Sequence, residues 1–181
     1  MGIVERWLTL IGSILTNMLR GPNENLGVLF LQEGNVVADL GAGSGHYTVA
    51  LAKRVGHTGQ IYAIDINADM ARRANRHLKE MGIKNAKVLL GDIEIKGGTK
   101  LKSGLCDAVL MTNVLAFLND APAAAVESKR ILAPDGQLLV IDWKRNFPEE
   151  KAEEIFTGAG FKKKNRFDAG THQWSIVFSN P

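Results

Sequence analysis

Three glycines at every second position, Gly41, Gly43 and Gly45, follow a short apolar run that carries an acid, Asp39, near its end. The stretch reads Val36-Val-Ala-Asp-Leu-Gly-Ala-Gly-Ser-Gly45. Glycine tolerates the backbone of a tight turn and, lacking a Cβ, lets main chain approach a ligand closely. A second apolar run over 60–64 ends on another acid, Asp65, 20 residues after Gly45 (65 − 45). An acid at that separation can accept hydrogen bonds from a ribose diol. A lone glycine-rich turn says little. The same turn with an acid before it and another closing the next run points to a nucleoside-type ligand.

Such residues work only if a scaffold brings them to one edge, and the chain is patterned for that. The apolar run 36–40 predicts a first strand, and a helix is expected over about 45–55. A second strand over 60–64 is followed by Asn67, a good N-cap, and a helix to about residue 81, with Gly82 as its stop. Residues 87–90 read as a third strand ending at Gly91-Asp92, and 94–104 as a glycine-containing loop. The continuous apolar run 107–111 fits a strand buried on both faces. A helix over 120–132, a turn at 134–136, a strand over 137–141 and a helix over 148–159 follow. The end, 161–167 and 172–179, reads as a hairpin. Strand–helix alternation implies an α/β fold: a parallel sheet with right-handed crossovers and helices on both faces.

With 181 residues, 45% of them hydrophobic, the chain is expected to form a single domain over 1–181. Its charge is nearly balanced, 22 basic against 19 acidic residues, and the basic residues are dispersed, which makes nucleic acid an improbable partner. One cysteine, Cys106, excludes an internal disulfide and a multi-cysteine metal site, and a cytoplasmic setting is expected. No metal ligands are predicted. In the N-terminal segment 1–22, Val4, Trp7, Leu8, Ile11, Leu15, Met18 and Leu19 share one helical face. The segment is too short and too often interrupted to span a bilayer. Its expected role is a helix packed on the core, acting as a lid over the pocket or as a contact in a homodimer; a monomer is equally open.

Asp39-Leu-Gly-Ala-Gly-Ser-Gly45 resembles the D-x-G-x-G-x-G signature of class I S-adenosylmethionine-dependent methyltransferases. The dinucleotide signature G-x-G-x-x-G fails, because position 46 is histidine. The resemblance covers residues 35–179. Residues Thr112-Asn-Val-Leu-Ala-Phe-Leu118, Arg130-Ile-Leu-Ala-Pro-Asp-Gly136 and Ile141-Asp-Trp143 are similar to the subgroup of ubiquinone and menaquinone biosynthesis methyltransferases. This resemblance implies a Rossmann-like sheet of seven strands in the order 3-2-1-4-5-7-6, with strand 7 antiparallel, and S-adenosyl-L-methionine as cofactor. It also implies site roles. Gly41, Ala42, Gly43 and Gly45 pass beneath the methionine moiety and ribose. Asp39 holds the ammonium, Asp65 the ribose hydroxyls, and Ile66 packs on adenine. Asp92 and the Ile93 N–H meet the adenine edge, Tyr47 contacts the cofactor, and Thr112 and Asn113 close the methionine end.

The expected reaction is methyl transfer by in-line displacement to a small-molecule acceptor. A base is needed only if the acceptor must lose a proton, and no residue is singled out for that task; His46 and Asp142 are weak candidates. Trp143 is read as pocket wall or core, while His57, His77 and His172 are read as solvated or structural. A single cysteine argues against arsenite methylation. The absence of Asn/Asp-Pro-Pro-Tyr after the fourth strand argues against N-methylation of bases in nucleic acids. The remaining readings are an RNA or protein methyltransferase, or a cofactor-binding domain without turnover.

Overall fold

A computed structural model describes residues 21–167 and 169–181. The segment expected to form the N-terminal helix, and Asp168 in the terminal hairpin, lie outside the described residues. The described chain opens with a single helical turn, α1 (Pro22–Asn25), and a 3-10 turn (Leu26–Val28). There follow β1 (Val36–Leu40), α2 (His46–Arg54), β2 (Gln60–Asp65), α3 (Ala68–Glu80) and β3 (Ala86–Leu90). The second half holds β4 (Cys106–Thr112), α4 (Ala121–Ile131), β5 (Leu132–Trp143), α5 (Glu149–Gly158), β6 (Lys162–Phe167) and β7 (Gln173–Ser179).

The seven strands form one sheet in the order β3-β2-β1-β4-β5-β7-β6. Strands β1 to β5 pair in parallel, and β7 runs antiparallel to both β5 and β6. This is the Rossmann-like architecture expected from the resemblance. Its centre is apolar on both faces: Ala108 to Met111 of β4 are all but inaccessible to solvent. One face is covered by α4 and α5, whose Ala124, Ala125 and Phe156 pack on Val109, Leu138 and Phe178. On the other, Leu26, Leu51 and Val55 pack on Val37, Leu110 and Leu139. Among the described residues, no helix is long and apolar enough to cross a membrane.

Local sequence sets the helix ends. The Asn67 side chain accepts from the Asp69 and Met70 N–H groups and caps α3, whose Ala71, Ala74 and Leu78 turn inward at helical spacing. Asp120 accepts from the Ala123 N–H at 2.9 Å and caps α4, with Pro122 harmless in the first turn. The exposed edge strand β6, Lys-Lys-Lys-Asn-Arg-Phe, is charged, which discourages pairing with another chain.

One expectation needs correction. Residues 134–136 do not form a turn ahead of β5 but a bulge inside it. Leu132 pairs with Cys106, and the next pairing is Gln137 with Ala108. Asp135 takes φ +61° there, and its N–H donates to the Asn180 carbonyl at 2.8 Å. The Pro-Asp-Gly signal is real, but flanking pairing absorbs it into the strand.

Candidate active site

Parallel strands present their C-terminal ends together, and the connections after β1, β2, β3 and β4 enclose a cleft of about 420 Å³ at that edge. The loop after β1 forms its floor. Gly41, Gly43 and Gly45 take φ of +73°, +56° and +84°. The Gly41 and Ala42 N–H groups donate to the Ile64 carbonyl at 2.8 and 3.1 Å, tying the loop to the end of β2. At Gly41 the need for glycine is also steric, since an added Cβ would lie 2.5 Å from Val114 Cγ2.

Asp65 closes β2 and faces the same loop. One carboxylate oxygen accepts from the Gly43 N–H at 2.8 Å, the other from the Asn67 N–H at 2.8 Å. Each oxygen keeps acceptor capacity, so the group can take further donors from a diol while its orientation stays fixed. Next to it, Ile66 is 66% exposed on the cleft wall, an apolar side chain with no protein cover.

Asp39 differs in kind. It is fully buried beneath the loop, Oδ2 accepts from the Thr48 hydroxyl at 2.6 Å, and Oδ1 has no partner. Burial pushes its pKa up to about 6; the Thr48 bond opposes this, and the nearby Asp65 charge adds to it. A buried carboxylate with one orphan oxygen suits a cationic group brought to it.

The opposite wall comes from β3 and β4. Asp92 Oδ1 accepts from the Glu94 N–H at 2.9 Å, and Ile93 is buried behind it. Asn113, just past β4, has φ +54°, a strained conformation for a side chain with a Cβ. Its N–H donates to the Ile141 carbonyl, and its Oδ1 accepts from Gln173 Nε2 at 2.8 Å. A 3-10 turn, Leu115–Phe117, then carries Phe117, 78% exposed, to the rim.

Gly41, Gly43, Asp65, Ile66, Asp92, Ile93 and Asn113 thus line one cleft, with Asp39 below it. Ala42 and Gly45 belong to the loop, and Thr112 is the last residue of β4; none of the three is on the cleft surface. Tyr47 is not on the cleft surface; its hydroxyl accepts from Asn25 Nδ2 at 2.8 Å and lies near enough to Asp39 to feel its charge. His46 is exposed, contacts Ser44 Oγ at 2.9 Å and lies with its ring tilted 59° to that of His77. Asp142 is buried, its two oxygens accepting from the Trp143 and Leu115 N–H groups at 2.7 and 3.0 Å. Burial raises its pKa against those bonds. It anchors the 3-10 turn. Sequence reasoning missed Met70, Phe117 and Leu118 on the cleft wall; an apolar residue one turn into α3 and the Phe-Leu pair after β4 were the available signals.

A family model described as a methyltransferase domain matches residues 31–175. The ubiquinone/menaquinone biosynthesis C-methyltransferase UbiE of Hydrogenovibrio crunogenus is 34% identical over 64% of this chain and 44% of its own length. An arsenite methyltransferase of Aquipseudomonas alcaligenes is 30% identical over 71% of this chain and 39% of its own. The chain therefore spans less than half the length of these two relatives. Among solved structures, a SAM-dependent methyltransferase from Aquifex aeolicus superposes with a TM-score of 0.80 at 26% identity, covering 88% of this chain and 89% of that one.

Proposed function

The chain belongs to the methyltransferase-domain family, and from that premise we propose that it transfers a methyl group to a small-molecule acceptor by in-line displacement. S-adenosylmethionine is the cofactor this family membership carries. One observation carries the reading: Gly41 and Gly43 of the glycine loop and Asp65 line a single cleft whose remaining wall is largely apolar, with Asp39 buried at the end of the strand that leads into that loop. The fit to the cofactor is chemical. An orphan buried carboxylate oxygen, two ribose-competent acceptors and an exposed Ile66 match an ammonium, a diol and a flat base.

When bound, S-adenosylmethionine supplies a methyl group made electrophilic by a sulfonium. The chain's residues then have three tasks. Asp65 orients the sugar, since the Gly43 and Asn67 N–H groups prevent its carboxylate from turning. Asp39 receives the cationic end, and Thr48 fixes its direction. Phe117, Leu118 and Val114 form an apolar rim that keeps water from the reacting atoms, and holding donor and acceptor aligned is the main catalytic term in such a displacement. Asp142 is buried and off the cleft surface, with each oxygen bonded to backbone, and serves the turn rather than as a base.

A small-molecule acceptor is supported by the names of the two relatives, a quinone-pathway C-methyltransferase and an arsenite methyltransferase. Arsenite is disfavoured, because the one cysteine is buried in β4 and burial pushes its thiol up to about 12. A cytoplasmic setting belongs to the same proposal. Release of S-adenosylhomocysteine tests it: the expected result is turnover with a metabolite pool. Turnover with total RNA alone, or with neither, would overturn it.

A further inference from the structure

Among the described residues, a side chain with five hydrogen bonds on its two oxygens lies outside the cleft. Glu127, on α4, is 1% exposed. Its Oε2 accepts from the Gly97 N–H at 2.9 Å and Arg130 Nε at 2.7 Å. Its Oε1 accepts from the Thr99 N–H at 3.2 Å, the Thr99 hydroxyl at 2.6 Å and Arg130 Nη2 at 2.7 Å. Burial alone would raise its pKa, but these bonds outweigh burial and hold it at about 2. Arg130 reaches further into the same loop, donating to Thr99 Oγ1 and Ser103 Oγ. A buried ion pair of this kind is poor value for stability alone, since well-packed apolar residues serve as well. What it secures is the position of a loop without regular structure.

That loop is the back of the cleft wall. Gly98 sits between the two Glu127 contacts and lies directly against the residues that face the cleft. A Cβ at Gly98 would be 1.9 Å from the Asp92 carbonyl oxygen, and one at Gly91 would be 2.5 Å from the Gly98 carbonyl oxygen. A second fastening lies on the near side: the Glu94 carboxylate, itself on the cleft wall, accepts from the Asp120 N–H at the start of α4. Residues 94–99 are thus stapled to α4 at two points, Glu94 at one and Gly97 with Thr99 at the other, directly after Asp92 and Ile93.

Resting on the methyltransferase reading, we infer that Glu127, through Gly97-Gly98-Thr99, is a positioning residue that sets the base selectivity of the cofactor site. It touches no ligand. Its effect passes by backbone contact to Asp92, whose free acceptor capacity selects an amino group on the base, and to Ile93. Loosening the loop moves that acceptor relative to the Asp65 carboxylate, whose two oxygens are held separately by Gly43 and Asn67. Sugar binding therefore survives a change that spoils recognition of the base.

Calorimetric titration of the full chain with S-adenosylhomocysteine and with S-inosylhomocysteine, where a keto group replaces the amino group, reads this directly. The wild type should prefer the adenosyl ligand by about tenfold or more, the value of one hydrogen bond to a charged acceptor. In Glu127→Gln an amide N–H would face the loop's own donors, and the preference should fall below about threefold. The loss should lie in the adenosyl ligand alone. Thr99→Val, which removes only the hydroxyl's bonds, should give an intermediate ratio and guards against a fold too damaged to read. Equal weakening of both ligands would make Glu127 a stabilising residue only and overturn the inference, as would an unchanged ratio in both variants. Failure of the wild type to bind either ligand would instead bring down the parent reading, and the inference with it.

Discussion

Replacing Asp39 with asparagine should make the protein more stable and a worse binder at once. The carboxyl is completely buried, with one oxygen unpartnered, and its pKa stands at about 6 against 3.8 for the free group. A difference of about 2 units corresponds to about 3 kcal/mol. The sign follows from linkage. Because the folded-state value is raised, this group's stabilising contribution is complete below pH 3.8 and is lost as pH rises through 6. Above that, ionised Asp39 weighs against the fold. Asparagine cannot ionise, so Asp39→Asn avoids the cost, less about 1 kcal/mol for a weaker bond from Thr48. The net expectation at pH 7.5 is a gain of about 1 to 2 kcal/mol, read as a higher urea midpoint with an unchanged slope. At pH 4.5 most of the gain should vanish. In calorimetry, affinity for S-adenosylhomocysteine should drop about tenfold or more, since its ammonium loses a charged partner. A variant less stable at pH 7.5 that binds as tightly as the wild type would refute the reasoning.

Three further outcomes are expected. Gly41→Ala places a Cβ against Val114 and forces a side chain into left-handed backbone, so it should lose about 2 to 4 kcal/mol in denaturant unfolding. Gly43→Ala, whose Cβ meets no atom within 4 Å, should lose about 1 to 2 kcal/mol; equal losses would contradict the packing assigned to Val114. Asp142→Asn should speed hydrogen exchange at the Leu115 amide and slow turnover while leaving the shape of the pH–rate profile intact, whereas loss of one limb of that profile would restore Asp142 as a base. Removal of residues 1–20 is proposed to spare much of the cofactor affinity and abolish transfer; full-rate turnover would dismiss the lid, and a change confined to oligomeric mass would favour a dimer contact.

The sheet and the cofactor edge were readable because each rests on local pattern. Asp39 and the alternating glycines mark a strand that must end in a tight turn, and Asp65 marks the next strand's end. The buried run in β4 announces a central strand. The strand order came from the family resemblance, and alternation alone would not have supplied it. What escaped the sequence depends on partners far along the chain. Tyr47 follows the glycine loop, yet its hydroxyl faces Asn25, which local pattern does not connect to it. Asp142 sits at a strand tip where ligands bind, but it is buried off the cleft and bonded to the N–H groups of Leu115 and Trp143. The loop over 94–104 has no periodicity and read as mere connection; its order comes from a glutamate on α4, 28 residues from Thr99. The bulge in β5 is of the same kind, a local turn signal overruled by pairing on either side.

The central claim is that the cleft binds S-adenosylmethionine through Asp65, and calorimetric titration of the wild type and Asp65→Ala measures it most directly. The wild type should bind S-adenosylmethionine and give no heat with a nicotinamide dinucleotide. In the variant the affinity should weaken by roughly 2 to 4 kcal/mol, the worth of two hydrogen bonds to a charged acceptor. Unchanged affinity in Asp65→Ala would contradict the assignment of that residue. Binding of the nicotinamide dinucleotide with none of S-adenosylmethionine would contradict the account as a whole.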